Sequence, residues 1–296
     1  MSPPSCSGRV GVGGGARVGG GGGPQGLLCS RRRPSRFCWS TFTYDVGSTQ
    51  QGPRVGNGVG WARGRVAAGV ESLLASVYDA PPPSKLQRRN DLSADDKARM
   101  RETSGQGDKA WIYGELTYDG ACALRDSLRP TRDDAFVDLG SGYGRLVFTA
   151  HLDWSVGSSV GVELSSSRHE AGTRALHALG SLGALDASRE VRLVQGDMLA
   201  LDVSKATLVY VALTMFDDAF TQRILDKLSS EATHLRYVIT TEDVERRFGS
   251  RLPDGWTLAQ SLVVSQSWAD DCTLSIYQVR RQSEPEPEPK WMSYVF

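Results

Sequence analysis

A glycine-rich turn directly after a short apolar run is the part of this chain best suited to chemistry. Residues 136–144 have the sequence FVDLGSGYG, so three glycines alternate with other residues at the end of a strand-like segment. Because glycine lacks a Cβ, the backbone of such a turn can adopt positive φ and come close to a ligand. A helix predicted over residues 143–154 would point its N-terminal amides at the same ligand. The segment therefore predicts a strand–turn–helix unit that binds a nucleoside cofactor.

Asp138 lies two residues before the first glycine of this turn, Gly140, and helps to choose between two cofactors. A dinucleotide site has the spacing G-x-G-x-x-G and places a pyrophosphate on the helix N-terminus, whereas the spacing here is G-x-G-x-G. A carboxylate at this position would repel a phosphate and attract a cation. S-adenosylmethionine carries a sulfonium and an α-amino group and no phosphate, so the turn, with Ser141 and Gly142, favours S-adenosylmethionine over NAD. A turn that only packs helix against strand is the structural alternative.

Two further acids follow strand-like runs later in the chain. Glu163 comes about 20 residues after the turn, where an acid typically accepts hydrogen bonds from ribose hydroxyls. Asp197 follows the run 191–195 and could accept a hydrogen bond from an adenine amino group, with Met198 against the ring. Taken alone, Asp197 could equally cap a short helix. Because the C-terminal ends of parallel strands line one crevice, the three acids in order predict a cofactor site.

The composition narrows the class of protein. The 296 residues include 34 Lys and Arg and 34 Asp and Glu, a balance that argues against nucleic-acid binding by charge alone. No apolar run approaches the roughly 18 residues needed to span a bilayer. The five cysteines include no C-x-x-C pair, the four histidines lack metal-ligand spacing, and we expect His151, His169 and His177 at helix surfaces or boundaries. We therefore predict no membrane span, no metal site and a reducing compartment.

Strands and helices are predicted to alternate regularly from residue 134 onward. The strands fall near 135–139, 159–163, 191–195, 207–212 and 235–241, and the helices near 143–154, 166–179, 216–229 and 242–248. This alternation is typical of a parallel sheet with helices on both faces. Two further runs, 257–266 and 272–279, joined by a turn at 269–271, predict a closing antiparallel hairpin. The predicted fold class is α/β: a Rossmann-like class I methyltransferase with a mostly parallel seven-stranded sheet and a terminal antiparallel hairpin.

The chain is predicted to divide into four segments. Residues 1–64 are a Gly- and Arg-rich extension expected to be disordered, because glycine tracts cannot offset their ordering entropy by burying side chains. A helical N-terminal segment covers 65–107, an S-adenosylmethionine-binding methyltransferase domain 108–282, and a Pro/Glu-rich tail 283–296. The acid-poor extension is compatible with an organelle transit peptide, with a basic arm that touches DNA or an acidic histone surface, or with no role.

Several blocks, taken in order, make the chain resemble one family. The blocks are YGELTYD at 113–119, the glycine turn at 136–144, GVE at 161–163, GDM at 196–198 and Ser267-Trp268 in the hairpin. They resemble the non-SET histone-lysine N-methyltransferases of the disruptor-of-telomeric-silencing type, over about residues 108–280. The Y-G-E block is the specific part, since the glycine turn is shared by class I methyltransferases in general.

The resemblance implies roles for the residues of the Y-G-E block. Tyr113, Glu115 and Thr117 would belong to a loop that closes over the methionine part of the cofactor. Tyr118 and Asp119 are near enough in the motif to be considered for a catalytic role at the acceptor, but the sequence identifies no general base.

The resemblance also implies an apolar channel for an acceptor lysine. Phe216, Trp268 and Tyr277 are the candidates for its walls, although a hairpin tryptophan can equally be a core residue. The family has two asparagines where this chain has Ala212 and Leu213, which puts the substrate in doubt and leaves the cofactor prediction intact.

Thr214 follows this departure from the family pattern. Its hydroxyl could replace one of the polar contacts that the asparagines make. It could equally cap the helix that follows.

Taken together, these features predict a protein-lysine N-methyltransferase that uses S-adenosylmethionine, acts on a histone or nucleosome and works in the nucleus as a chromatin regulator. Direct DNA contact would be possible only through the Arg-rich N-terminus, since the cluster Lys85, Arg88 and Arg89 is more typical of a solvated face. One alternative is a methyltransferase for a small molecule or another protein in an organelle (plastid or mitochondrion). Another is a catalytically idle module that binds the cofactor, against which the three intact acids argue.

Overall fold

The computed structural model describes five stretches of the chain: 41–43, 63–78, 92–104, 113–249 and 252–280, with the backbone alone at 41–43 and 63–68. Most of the Gly- and Arg-rich extension, the basic cluster around Arg88 and the Pro/Glu-rich tail lie outside these residues. The predictions made for those parts remain predictions.

The described strands occur close to the predicted positions. They are β1 Thr41–Thr43, β2 Ala135–Leu139, β3 Ser158–Glu163, β4 Glu190–Gln195, β5 Leu208–Val211, β6 Tyr237–Thr240, β7 Trp256–Gln266 and β8 Ala269–Val279. The hairpin β7–β8 turns at Ser267 and Trp268, so the prediction of a turn at 269–271 is wrong. Those residues instead begin β8, with Ala269 paired to Gln266 of β7, which puts Trp268 at the tip of the hairpin.

The described helices are α1 Arg63–Val77, α2 Ala94–Ser104, α3 Tyr118–Leu128, α4 Arg145–Thr149, α5 Ser166–Ser181, α6 Asp218–Glu231 and α7 Val244–Phe248. One π-helical turn, Ala150–Trp154, continues α4, so the predicted helix 143–154 is two geometries in sequence. Side-chain caps set several of the starts: the Ser93 hydroxyl accepts from Asp96 N (3.0 Å) and the Asp217 carboxylate from Phe220 N (2.7 Å).

The strands form one sheet in the order β1-β4-β3-β2-β5-β6-β8-β7. Strands β2 to β6 are parallel, and the hairpin adds β8 and β7 antiparallel to β6, as predicted. The short β1 pairs antiparallel with β4 and makes an eighth strand, in a segment for which we expected no order. The chain order reverses on either side of β2, and ligands of open α/β sheets bind beside the carboxyl ends of strands at such a switch point.

Apolar residues on both faces of the central strands explain why this sheet is buried. On one face Val137, Val160 and Val209 belong to a core that packs against α6 and α7. On the other face Phe136 and Leu208 pack with α3 and the turn after α4. Parallel strands buried on both sides have continuous apolar runs, and these runs made the strands recognisable from sequence.

Two histidines lie deeper than we expected. His151 is fully buried and His169 is 4% exposed, whereas His177 is exposed. His151 accepts a hydrogen bond at Nε2 from Asp186 N (3.1 Å), and burial lowers the pKa of its imidazole to about 4. The prediction of surface or boundary positions for His151 and His169 is therefore wrong. The helical pattern did not show it, because both helices turn these residues toward other segments.

Candidate functional site

A cavity of about 330 Å³ opens at the carboxyl ends of β2 to β5. Its walls are formed by residues at the ends of these strands and in the loops after them, together with residues of α2, α5 and the tip of the β7–β8 hairpin. Among them are Gly140, Glu163, Arg168, Asp197, Met198, Ala212, Thr214, Phe216, Trp268, Tyr113, Met100 and Thr103.

The glycine turn has the conformation that only glycine adopts without strain. Gly140 has φ of 94° and Gly142 has φ of 55°, both in the left-handed region. The N–H groups of Gly140 and Ser141 donate to Val162 O at 2.9 Å each, which fixes the turn against β3. A Cβ at Gly142 would overlap the ring of Tyr113. The absence of a Cβ at Gly142 therefore lets the Tyr113 ring pack directly against the backbone of the turn.

Glu163, at the end of β3, is a buried acid of the cavity with a backbone hydrogen bond to each carboxylate oxygen. It is 4% exposed, and its Oε2 accepts from Gly142 N and its Oε1 from Ser165 N, at 2.8 Å each. A carboxylate oxygen accepts along two lone-pair directions, so each oxygen keeps one for a ligand hydroxyl.

Asp197 combines both of the roles considered for it. Its Oδ1 accepts from Leu199 N (2.9 Å) and caps the short 3₁₀ turn Met198–Ala200. The side chain nevertheless lines the cavity together with Met198. Among the described residues, none donates to Oδ2, so that oxygen is available to a ligand.

Asp138 is buried in β2 beside the cavity but is not one of its lining residues. Burial, followed by the nearby carboxylates of Glu163 and Glu115, raises the pKa of Asp138 to about 8. Within the described parts of the chain, its carboxyl group has no hydrogen-bond partner. An acid in these surroundings gains most from a bound cation.

Tyr113 covers the glycine turn, and Glu115 fixes its position. The Tyr113 hydroxyl donates to Glu115 Oε1 and accepts from Tyr143 N (3.3 Å). The other carboxylate oxygen of Glu115 lies 3.2 Å from Arg145 Nε, and its side chain is 9% exposed. Glu115 itself does not line the cavity. Burial also raises the pKa of Tyr113 well above its ordinary value, so its hydroxyl stays protonated.

The Y-G-E block pairs with the tip of the β7–β8 hairpin. Ser267 N donates to Glu115 O (2.8 Å), and Glu115 N donates to Ser267 Oγ (3.1 Å). Thr117 donates to Ser265 O through both its amide (3.2 Å) and its hydroxyl (3.0 Å), and its hydroxyl caps α3. Thr117 therefore lies outside the cavity wall, and its contribution is to hold the loop. This pairing places Trp268 over Gly114, at the cavity.

Two tyrosines considered for the acceptor site lie elsewhere. Tyr118 packs beside Val147 and Phe148 and does not line the cavity. Tyr277 is fully buried, its hydroxyl donating to Asp243 Oδ1 and accepting from Glu245 N at 3.0 Å each. The prediction that Tyr277 forms a channel wall is wrong, because the alternation of β8 turns it into the core under the sheet.

The segment after β5 supplies the remaining wall. Phe216 packs edge-to-face with Phe220, with ring centroids 4.9 Å apart, and both line the cavity. Leu213 is buried, whereas Thr214 is exposed at the cavity with its hydroxyl 2.9 Å from that of Thr241. Since Asp217 caps α6, the alternative of Thr214 as a helix cap is wrong.

Several lining residues escaped the sequence analysis. Met100 and Thr103 come from α2, and Arg168 from the first turn of α5, with its guanidinium 4.5 Å from the centre of the Tyr113 ring. No sequence motif marks these three residues.

In the described ranges, no group of three or more His, Cys, Asp or Glu side chains is placed to hold a metal ion. No helix described there has the length and apolar character to cross a bilayer.

Gly114 lines the cavity beneath Trp268, and replacing it with alanine should displace the hairpin tip. A Cβ there would overlap the six-membered ring of Trp268, so the hairpin tip must move, at a cost of about 1–3 kcal/mol. Thermal unfolding of Gly114→Ala should show this loss. The matched control is Gly69→Ala in α1, where a Cβ meets nothing within 4 Å and alanine favours the helix. Equal stabilities of the two variants would contradict the placement of Trp268.

Residues 105–248 match the family model described as "Histone methylation protein DOT1". A "Protein-lysine N-methyltransferase" of Saccharolobus islandicus (strain REY15A) is 34% identical over 86 residues, 29% of this chain and 47% of that protein. The "Histone-lysine N-methyltransferase, H3 lysine-79 specific" of Caenorhabditis elegans is 28% identical over 194 residues, 62% of this chain and 19% of that protein. The chain thus spans less than half the length of either curated relative. A solved RNA methyltransferase from Salinibacter ruber, in complex with S-adenosyl-L-homocysteine, has 19% identity and a TM-score of 0.40, covering 56% of this chain and 94% of its own.

The sheet order, with a crevice at the switch point beside β2, is that of a class I methyltransferase. Within that class, the chain is similar to the DOT1 family, whose model matches residues 105–248, and to the C. elegans relative over 194 residues. The resemblance inferred from the sequence blocks is thereby confirmed.

Proposed function

We propose that this chain is an S-adenosylmethionine-dependent protein-lysine N-methyltransferase that acts on a histone lysine. The observation that carries the proposal is that one cavity joins Glu163 and Asp197 to Phe216 and Trp268. Glu163 ends β3 and Asp197 follows β4, whereas Phe216 follows β5, on the other side of β2. Hydrogen-bonding groups on one side suit a nucleoside, and aromatic faces on the other suit the alkyl chain and ammonium of a lysine.

The residues beside β3 and β4 fit the nucleoside part of the cofactor. Glu163 keeps a lone pair on each oxygen for the ribose hydroxyls, and the free Oδ2 of Asp197 can accept from an adenine amino group. Gly140 lines the cavity without a Cβ, and the Met198 thioether can pack on an aromatic ring. These features match S-adenosylmethionine in shape and in hydrogen bonding.

Asp138 and Tyr113 fit the methionine part. The Asp138 carboxyl lacks a partner among the described residues and has a pKa raised to about 8, so an ammonium beside it would favour its ionised form. Tyr113 covers the glycine turn and closes this side of the site. When bound, S-adenosylmethionine would supply a methyl group on a sulfonium centre, ready for in-line transfer to an amine.

The aromatic side of the cavity would prepare the acceptor. A lysine amine has an ordinary pKa of about 10.4 and must be neutral to accept a methyl group. Phe216, Phe220 and Trp268 would remove water from it, which lowers the pKa of an amine. The Thr214 hydroxyl is a polar group on the same wall. Since Tyr118 lies outside the cavity, we assign no general base and attribute the catalysis to positioning and desolvation.

A histone as the acceptor is supported by the DOT1 family match and by the C. elegans relative, and it implies a nuclear, chromatin-regulating role. A second candidate is a methyltransferase for a small molecule or a non-histone protein, possible also in an organelle. Ala212 favours it, because an alanine lines the cavity where the resemblance implies an amide in the family.

A labelling experiment tests the proposal. The purified chain is incubated with radiolabelled S-adenosylmethionine and, in parallel, with nucleosomes, free core histones or an extract of proteins and metabolites. We expect label on a histone with the wild type and none with Asp138→Asn. Label on other molecules alone would overturn the histone acceptor and keep the cofactor. Failure of the wild type to bind S-adenosylhomocysteine in calorimetry would overturn the whole proposal.

A further inference from the structure

Asp96, in the first turn of α2, is a fully buried carboxylate that ties α2 to the start of α5. Its oxygens accept from three consecutive serines: Ser165 Oγ (2.9 Å), Ser166 N and Oγ (2.9 Å each), and Ser167 N (3.2 Å) and Oγ (2.7 Å). Arg99 Nη2 donates from 3.0 Å on the same helix. Segments 70 positions apart in the chain thus meet at one side chain.

The charge of Asp96 suits this position. Burial alone would raise the pKa of Asp96, but the hydrogen bonds from Ser167 and Ser166 hold it below its ordinary value, so the group is ionised at neutral pH. A negative charge is favourable at the N-terminus of a helix such as α5. Hydrogen bonds to an ionised group are also stronger and more restrictive in direction than neutral ones.

The apolar packing of α2 is small by comparison. In the described chain, the core cluster to which α2 contributes consists of Leu92 and Met100 with Leu164. Met100 and Thr103, one and two turns after Asp96, line the cavity that we assign to the cofactor. The helix that carries them is attached to the start of α5 by the hydrogen bonds of Asp96 and by Arg99, whose Nη2 donates to Ser166 Oγ (3.2 Å).

Ser165 connects the same carboxylate to Glu163. The Ser165 hydroxyl donates to Asp96 Oδ2 (2.9 Å), while its backbone N–H donates to Glu163 Oε1 (2.8 Å). Ser165 also caps α5 and is fully buried. A displacement of Asp96 would therefore reach Glu163 through a single residue.

We infer that Asp96 is a positioning residue for the cofactor cavity, which places Met100 and Thr103 in its wall and, through Ser165, aligns Glu163. The inference rests on the proposed function in one respect, namely that this cavity binds S-adenosylmethionine.

The test compares full-length wild type, Asp96→Asn and, as a matched control, Asp95→Asn on the exposed side of the same turn. Calorimetry gives the Kd of S-adenosylhomocysteine, and steady-state kinetics give KM for S-adenosylmethionine and kcat. Loss of a buried, charge-assisted hydrogen-bond set should raise Kd and KM of Asp96→Asn about 10-fold or more. The kcat at saturating cofactor should stay within about twofold, and Asp95→Asn should match the wild type. A merely structural role would lower kcat through the folded fraction and leave KM unchanged.

A second variant keeps the inference open to contradiction if Asp96→Asn does not fold. Ser167→Ala removes the shortest of these bonds and leaves the carboxylate its other donors, so Kd should rise about threefold. A wild type that does not bind S-adenosylhomocysteine would overturn the proposed function and this inference with it. A wild type that binds, with unchanged Kd in Ser167→Ala and in any folded Asp96→Asn, would overturn this inference alone.

Discussion

Asp138→Asn is expected to make the unliganded protein more stable at pH 8 while abolishing most of its affinity for the cofactor. The carboxyl group of Asp138 has a folded-state pKa of about 8, raised by burial and by two neighbouring carboxylates, against about 3.9 in an unfolded chain. Between these values the folded protein holds a proton that the unfolded chain has lost. The free energy of unfolding therefore falls as pH rises through this window.

The size of this effect follows from the width of the window. Between pH 5 and pH 8 the wild type should lose on the order of 3 kcal/mol that the asparagine variant keeps. Below the unfolded-state pKa, at about pH 3.5, the wild-type carboxyl is neutral in the folded protein and mostly neutral in the unfolded chain, so the two proteins should unfold together. At pH 8 the variant should unfold about 5 °C or more above the wild type. Asp133→Asn, at an exposed site nearby, is the control and should show no such divergence. Parallel pH profiles for wild type and Asp138→Asn would contradict the burial of this charge.

The same substitution should weaken ligand binding, because the ammonium of the cofactor would lose its proposed counter-ion. Truncating a buried charge pair costs about 2–5 kcal/mol, so the Kd of S-adenosylhomocysteine should rise at least about 30-fold. Binding to the wild type at pH 7 should also release about one proton from Asp138. Calorimetry in buffers of different ionisation enthalpy measures this release. An unchanged Kd in the variant would remove Asp138 from the site.

Glu163→Gln is expected to have the opposite effect on stability and a similar effect on binding. The carboxylate accepts from Gly142 N and Ser165 N, and glutamine would turn an amide N–H₂ toward one of these donors. The cost should be about 2–4 kcal/mol of unfolding free energy. The ribose hydroxyls would lose an acceptor as well, so the Kd of S-adenosylhomocysteine should rise about 100-fold.

Thermal unfolding and calorimetry of the same samples separate the two contributions of Glu163. Glu170→Gln, on the exposed face of α5, serves as the control and should leave both quantities unchanged. If Glu163→Gln lowered stability but left Kd unchanged, the acid would be purely structural. The pair of variants is informative because Asp138 lies beside the cavity that Glu163 lines, yet in the described chain only Glu163 accepts hydrogen bonds from backbone donors.

Local patterns were sufficient for the order of the secondary structure. The apolar runs of β2 to β6 and the glycines at 140 and 142 are properties of short stretches. Periodicity and backbone preference act over a few residues, so they can be read without knowing what packs where. The strand-end acids followed from the same logic, since parallel strands bring their carboxyl ends to one edge.

These local patterns could not predict which distant segments of the chain contact each other. Tyr118 lies in the specific block of the family, yet it packs away from the cavity, and Thr117 holds a loop instead of lining a wall. Whether an aromatic side chain meets solvent, core or ligand depends on the element opposite it. The position of Tyr277 against α7 shows this, because its hydroxyl is bound by Asp243.

By itself, the sequence determined the fold class, the family resemblance and the residues at the strand ends. Only the tertiary structure decided that Asp138 is a buried acid without a hydrogen-bond partner among the described residues, that Glu115 accepts a hydrogen bond from Tyr113, and that Asp96 joins α2 to the start of α5. The physical reason is that pKa, burial and ion pairing depend on what surrounds a group in space. Those surroundings come from segments far apart in the chain, which no local pattern records.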